Sequence, residues 1–521
     1  MQKLLTLAIL ALFGHSLHVS AQSSPYLDPS FGINGRLTYL FQGSNPATDA
    51  AGFTKTISLP NGKILAVGSG TQGGVSFAGA VRFNYDGSVD TTFANHGEWK
   101  SNDPNILAIT QLLLQPDGKI LLGGSGSNGF KLVRLLPDGS YDNSFGINGK
   151  VSFYGALSGI AHVISDMALL PDGGILMHGY FFSLSNDKYI IAKFKPNGAL
   201  DTSFGQAGSL TLLYTEVPPG NEDFVPRQIV PLSDKSFLIS GGGKLGSVFG
   251  EFAMHFSQSG RVDTTFGDHG VTFLPNCNYT AAVFVLPNDQ FYMLMGSPYP
   301  TQTALFKFHK NGILDTTFAD KGLAIFHHSS PLSNASSPFG GILQDDGKIV
   351  ILGGNANALG FLGRYNADGS RDTTFGDKGV ITPETTYEIF FSGDVQDDGK
   401  LLAISRYKGP NGNGIGNILR YIPTLTVGVI ETPSPLSAAF LYPNPVRQSC
   451  KLQYELPQAS SVHIELLDME GQTVQTLLRA DRPAGPTEEN LCLPEGLPAG
   501  QYLLLVATNK GNAAVKLVVT R

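Results

Sequence analysis

Seven aspartates in this chain each stand three residues before a phenylalanine: Asp28 and Phe31, Asp90 and Phe93, Asp142 and Phe145, Asp201 and Phe204, Asp263 and Phe266, Asp315 and Phe318, and Asp372 and Phe375. Repeated carboxylates could ligate calcium. Asp86 with Asp90, Asp138 with Asp142, and Asp368 with Asp372 offer paired hard oxygens across a glycine turn. Elsewhere Asn197, Ser259 and Asn311 replace the first member. No repeat carries the Asp-x-Asp-x-Asp-Gly ladder with a distal glutamate that a calcium loop uses. Turn chemistry accounts for the same residues: the carboxylate accepts hydrogen bonds from backbone amides two or three residues on, and the phenylalanine plugs the gap between neighbouring sheets. The expectation is a structural phrase with no assigned cofactor or metal, and calcium is the alternative.

Hydrolysis of a glycosidic bond generally needs two carboxyl groups. Between Gln22 and Leu425 the glutamates are Glu98, Glu216, Glu222, Glu251, Glu384 and Glu388, among which Glu216 and Glu222 form the best candidate pair. Solvated loop carboxylates are the simpler reading of both. Gly124-Ser-Gly-Ser-Asn-Gly129 lacks the strand-to-helix setting of a nucleophile elbow. The adjacent His327 and His328 would point to opposite faces of a strand rather than at one metal ion. Trp99 is the single tryptophan, so an aromatic platform would rest on tyrosines such as Tyr279, which falls with Arg227 in variable segments able to line a site. No catalytic residue is assigned. The expected role is a binding or structural module for a surface polymer or protein, and the alternative is an extracellular hydrolase or lyase acting on polysaccharide or peptide through loop carboxylates.

The elements that position these residues repeat with them. The phrase recurs every 52 to 62 residues and closes each time on a glycine four residues after the phenylalanine, a period expected of propellers and solenoids. The unit from Asp28 shows apolar runs at 36–41, 53–59, 63–67 and 80–84, separated by turn signals such as Pro60-Asn-Gly62 and Asp86-Gly87. These read as four antiparallel strands. A basic-aromatic step such as Arg82-Phe83 or Arg420-Tyr421 ends the last strand of a unit. Four-stranded sheets cannot bury both faces alone, and radial closure removes exposed edges. The fold class is therefore all-β, a seven-bladed propeller followed by a small immunoglobulin-like β-sandwich. Whether residues 25–41 complete the last blade or begin their own stays open. A formal charge of −7 without a basic run gives nucleic acid no electrostatic foothold.

The stretch from Asp86 to Gly97 (Asp-Gly-Ser-Val-Asp-Thr-Thr-Phe-Ala-x-x-Gly), with its relatives, resembles the delta-60 repeat family of bacterial β-propeller-like proteins over most of residues 25–424. That resemblance implies a fold and carries no common catalytic residue. Residues 1–21 read as a secretory signal peptide, with Lys3 before a short apolar run and small residues up to Ala21. Residues 22–424 form the propeller, 425–438 a linker, and 439–521 a strand-rich module. No later segment is apolar enough to span a membrane. The module opens on Tyr442-Pro443-Asn444-Pro445, continues through Gly471 and the Gly500 strand, and ends at Lys516–Arg521. It resembles the C-terminal sorting domain of the type IX secretion system of Bacteroidota. The resemblance implies the type IX machinery as partner, and release or attachment at the outer-membrane surface. Cys450 and Cys492 lie outside that pattern, and either a disulfide or burial as free thiols would accommodate them. Deleting residues 439–521 is expected to hold the protein in the periplasm. Surface delivery of the truncated chain, read by immunoblot of fractionated cells, would remove the sorting assignment.

Overall fold

The computed structural model describes residues 25–422 and 437–520, apart from 43–50, 74, 102, 104, 127–128, 155–160, 183–187, 213–220, 297–301, 328–336, 355–358, 384–387, 409–413, 443, 445, 457, 469–471 and 509–510. The proposed signal peptide, Glu216, Pro443, Pro445 and Gly471 lie outside these residues. The chain divides into two compact units, 1–424 and 425–521. All its elements are strands, and among the described residues no helix is long and apolar enough to cross a membrane.

Seven four-stranded antiparallel sheets make the first unit. Their first strands are Ala51–Ser58, Ala108–Leu114, Ala161–Leu169, Asn221–Pro231, Asn278–Val285, Ser337–Leu343 and Glu388–Val395, which we call the inner strands of blades 1 to 7. Each blade runs outward in chain order, and its fourth strand follows the Asp-x-x-Phe phrase: in blade 1, Glu98–Lys100 pairs with Val75–Phe83. The phrase-to-phrase unit is thus out of phase with the blade. The strand read from sequence as the first of a unit belongs to the preceding sheet. In blade 7 that outer strand is Arg36–Thr38, which pairs with Gly414–Tyr421. Residues 25–41 therefore complete the last blade, and the ring closes by joining the beginning of the propeller to its end. Arg36 fastens this seam through two hydrogen bonds, Nη1 to Oε1 and Nη2 to Oε2 of the fully buried Glu388, at 2.6 and 2.8 Å.

Each phrase locks a corner by the same bonds. In the first complete repeat, Oδ1 of Asp90 accepts from the Thr92 amide at 3.2 Å and the Thr92 hydroxyl at 2.6 Å. The Phe93 amide donates instead to the Asp90 backbone carbonyl at 3.1 Å, so the side chain takes the second amide and leaves the third to the main chain. The other oxygen, Oδ2, accepts from Arg82 Nε at 2.5 Å and from Lys63 Nζ at 2.7 Å. Arg134, Lys193, His255, Lys307, Arg364 and Arg420 face their aspartates in the same way. Burial alone would raise the Asp142 carboxyl, but hydrogen bonds from Ser144 and the Arg134 charge outweigh it and hold the group down at about 2. The glycine that closes the phrase is required by geometry: Gly97 has φ +97°, and a Cβ there would meet Val89 at 2.2 Å.

The phenylalanines of the phrases are between 0 and 5 % exposed. Phe266 sits in one core with Leu238 and Ala253 of blade 4 and with Val283, Phe291 and Met293 of blade 5. The second unit has a three-stranded and a four-stranded sheet around a shared core that includes Leu452 and Tyr454 from one and Ile464 and Val506 from the other. Cys450 and Cys492 are free thiols. Cys450 pairs with Leu491, and Cys492 with Ser449. Neighbouring but offset, the two side chains leave opposite faces of the sheet, one buried and one exposed. Phe266→Ala is expected to destabilise the propeller by roughly 3–5 kcal/mol, the cost of truncating a buried aromatic. Chemical denaturation would read this, and an unchanged midpoint would refute the plug.

Candidate functional site: the central channel

Inner strands extend the period-2 alternation of a sheet only as far as a bulge. In every blade the register shifts by one residue at the same place: at Thr54, Thr110, Ser165, Arg227, Ala281, Phe339 and Phe391. A bulge re-aims side chains and twists its strand. These residues and their neighbours from all seven inner strands line one cavity of about 590 Å³ along the ring axis, within the range of small-ligand sites.

Its wall departs from sevenfold repetition. From blade 1 to blade 5 the polar side chains reach sideways and cap the next strand's backbone. Thr54 Oγ1 donates to the Ile109 carbonyl at 2.8 Å, and Thr110 Oγ1 to the Ile164 carbonyl at 3.0 Å. Lys55 Nζ donates to Gln111 Oε1 at 2.6 Å, and Gln111 Nε2 to the Ser165 carbonyl at 2.6 Å. Asp166 Oδ2 accepts from the Ile229 amide at 3.1 Å, and Gln228 Oε1 from the Val283 amide at 2.7 Å. Burial raises the Asp166 carboxyl, against the pull of Lys55 at 3.9 Å.

The remaining arc is aromatic. At the position that holds Lys55, Gln111, Asp166 and Gln228 in blades 1 to 4, blades 5 to 7 hold Ala282, Gly340 and Ser392. Phe339 and Phe391, half-buried, line the channel at their bulges. Tyr279 joins them at a second bulge two residues before Ala281 in blade 5 and is 43 % exposed. Its ring lies 6.2 Å from that of Phe339 and carries the Arg227 guanidinium 4.8 Å above it. Tyr279 has φ +49°, a conformation a bulky residue adopts at a cost of about 1–2 kcal/mol. Strain of this kind gathers at binding sites, where the surrounding structure imposes it. Behind the arc, Arg227 Nη1 lies 3.5 Å from Glu251, whose other oxygen accepts from the Thr280 amide and hydroxyl at 2.9 and 2.6 Å.

Residues 59–93, 115–145, 170–204 and 344–375 match a family model described as a β-propeller domain of unknown function, DUF5122. Residues 440–520 match a secretion system C-terminal sorting domain. The chain carries DUF5122 propeller repeats and a secretion sorting domain. No curated protein matches it. Among solved structures, the polysaccharide lyase Uly1 is 12 % identical, with 78 % of this chain and 98 % of that one covered and a TM-score of 0.41. A protein of unknown function from Dyadobacter fermentans is 10 % identical, with coverages of 76 % and 100 % and a TM-score of 0.37. Drosophila Semaphorin 2a is 8 % identical, with coverages of 96 % and 99 % and a TM-score of 0.40. Likeness this low carries no argument about function.

Each matched DUF5122 segment ends on or beside a phrase phenylalanine, at Phe93, Phe145, Phe204 or Phe375. The repeats place several sequence candidates in structural roles. Glu388, read as a loop carboxylate, is in an inner strand and held by Arg36 and the Ser405 hydroxyl. Glu98 is buried and accepts from the Tyr39 hydroxyl at 2.5 Å. Trp99 is 4 % exposed, packed in the core of blades 1 and 2, and offers no platform. Glu222 lies on the inner strand of blade 4, opposite Lys244. Asp86, Asp138 and Asp368 each accept from the amide and hydroxyl of a serine two residues on. Among the described residues no group of three or more His, Cys, Asp or Glu is arranged to hold a metal ion. In the sorting domain, the Asn444 side chain donates to the Lys516 carbonyl at 2.7 Å and accepts from the Val518 amide at 2.8 Å, so the motif's asparagine pins the last strand. Tyr442 donates to Glu488 at 2.7 Å, and Gly500 opens the strand Gly500–Thr508. The channel residues other than Arg227 and Tyr279 were not singled out by sequence, because a bulge leaves no signature in a run of mixed residues.

Replacing Tyr279 by glycine removes the backbone strain together with the ring. Tyr279→Gly is expected to change unfolding free energy by less than about 1 kcal/mol, the relieved φ offsetting a lost cation–π contact. A loss of several kcal/mol by denaturant titration would show that the ring is core rather than channel wall.

Proposed function

We propose that this chain is an exported propeller that binds an extracellular ligand, a surface polymer or protein, in its central channel. The sorting domain indicates export to a secreted or cell-surface location. The observation that carries the binding reading is the broken symmetry of the channel wall. A ring serving only as scaffold would repeat its inner positions as it repeats its phrases, whereas this one sets a capped polar arc against Tyr279, Phe339 and Phe391. A concavity that brings polar groups and aromatic rings together is what a ligand site needs. The described channel wall holds a single carboxylate, Asp166, already bound to an amide and facing Lys55, which favours binding over acid–base hydrolysis.

The test uses the mature chain, residues 22–521, against surface polysaccharides and peptides, with binding and turnover both recorded. Ala281→Trp places a ring in the channel without removing a polar group. Binding that Ala281→Trp abolishes, with the melting temperature kept, is expected. Binding indifferent to this change would move the site elsewhere, and turnover dependent on Glu222 would replace the binding reading with the enzyme one.

A further inference from the structure

We infer that the channel's ligand is a neutral glycan, with sugar rings stacked on Phe339 and Phe391 and hydroxyls facing the polar arc. This rests on the channel being the binding site. Three features select the class. First, the aromatic arc presents half-buried rings to an otherwise polar cavity. The apolar C–H face of a pyranose covers such rings while its edge hydroxyls stay available for hydrogen bonds. Second, the charges are already balanced. Lys55 faces Asp166 at 3.9 Å and Arg227 faces Glu251 at 3.5 Å, so a uronate or sulfated sugar would have to displace a carboxylate from its cation. Arg227 Nη1 is buried on the Glu251 side, so that charge is turned away from the channel. Third, a peptide strand would bind by pairing with an exposed strand edge. From blade 1 to blade 5 those edges are spent on the sideways caps, among them the Ile109 and Ile164 carbonyls and the Ile229 and Val283 amides.

The experiment measures binding of the mature chain to neutral hexose oligosaccharides (glucan, mannan and galactan), to a polyuronate oligosaccharide of equal length, and to a decapeptide. At least one neutral oligosaccharide should bind at least tenfold more tightly than the polyuronate or the peptide. Phe339→Ala and Phe391→Ala should each weaken it tenfold or more without changing the melting temperature by more than a few degrees. Should either variant fail to fold, Phe339→Tyr, which keeps the ring face, is expected to retain binding. Tighter binding of polyuronate or peptide that Ala281→Trp still blocks would overturn the glycan inference and leave the channel site standing. Absence of binding by every neutral oligosaccharide at millimolar concentration also overturns it. Glycan binding that survives both phenylalanine variants and Ala281→Trp overturns the channel reading as well.

Discussion

A carboxylate withdrawn from water must be paired, and this propeller sets that requirement at five of its seven corners, at Asp28, Asp90, Asp142, Asp315 and Asp372. The partner of each aspartate is a basic side chain on the third strand of the same blade, so the turn is tied to the sheet beneath it. The arginines do more than neutralise. Arg82 and Arg134 also donate Nη1 to the Pro137 and Pro196 carbonyls of the following blade, each at 2.5 Å, and their guanidinium groups cover Phe93 and Phe145 at 4.8 and 4.4 Å. One planar group thereby joins turn, plug and neighbour, a geometry that lysine's point charge does not offer. The arginine corners are those of blades 6, 7, 1 and 2, consecutive around the seam where the two ends of the propeller meet. Such pairs specify geometry more than they add stability, since desolvation consumes much of their attraction.

The channel solves a different problem with related means. An inner strand has one edge paired within its blade and the other turned to the axis, where unpaired amides and carbonyls would be costly if dry and sticky if wet. Threonine, glutamine and aspartate side chains close those edges between blades 1 and 5. Where the caps stop, small residues make room for rings. Gly340 shows the constraint: a Cβ there would meet the Phe391 carbonyl at 2.8 Å. The aromatic arc therefore depends on the glycines beside it as much as on the rings.

How much of this was legible in the sequence follows from the range of each interaction. The Asp-x-x-Phe phrase, the four strands per repeat and the sorting motif are local, and their residues announce them. The basic residue eight positions before six of the seven aspartates was also in view, as Arg82 before Asp90, but its pairing becomes evident only when the third strand and the turn are seen together. Blade phase was hidden because a period says nothing about where a unit begins. The seam was hidden for the same reason: Arg420 finds its aspartate at Asp28, 392 residues away. Burial of Glu98 and Glu388 depends on the segment from Arg36 to Gln42 that crosses over them, and burial of Trp99 on blade 2 residues such as Ile109 and Tyr141. The channel wall is the least local feature, assembled from seven separate strands, and only Arg227 and Tyr279 were anticipated there.

That seam also sets a clock. Asp28 and Arg420 form the corner of blade 7, and the Arg420 guanidinium, fully buried, also binds Ser30 at 3.1 Å and stacks on Phe31 at 4.6 Å. Closing a loop of this length is entropically dear and slow compared with the hairpins inside each blade. The first residues of the propeller must wait, unpaired, for the last. Six blades are built from consecutive strands while the seventh takes its outer strand from residues 36–38, so this joint is the natural place for the ring to open. Breaking the Asp28–Arg420 corner therefore bears on how fast the ring opens as well as on its equilibrium stability.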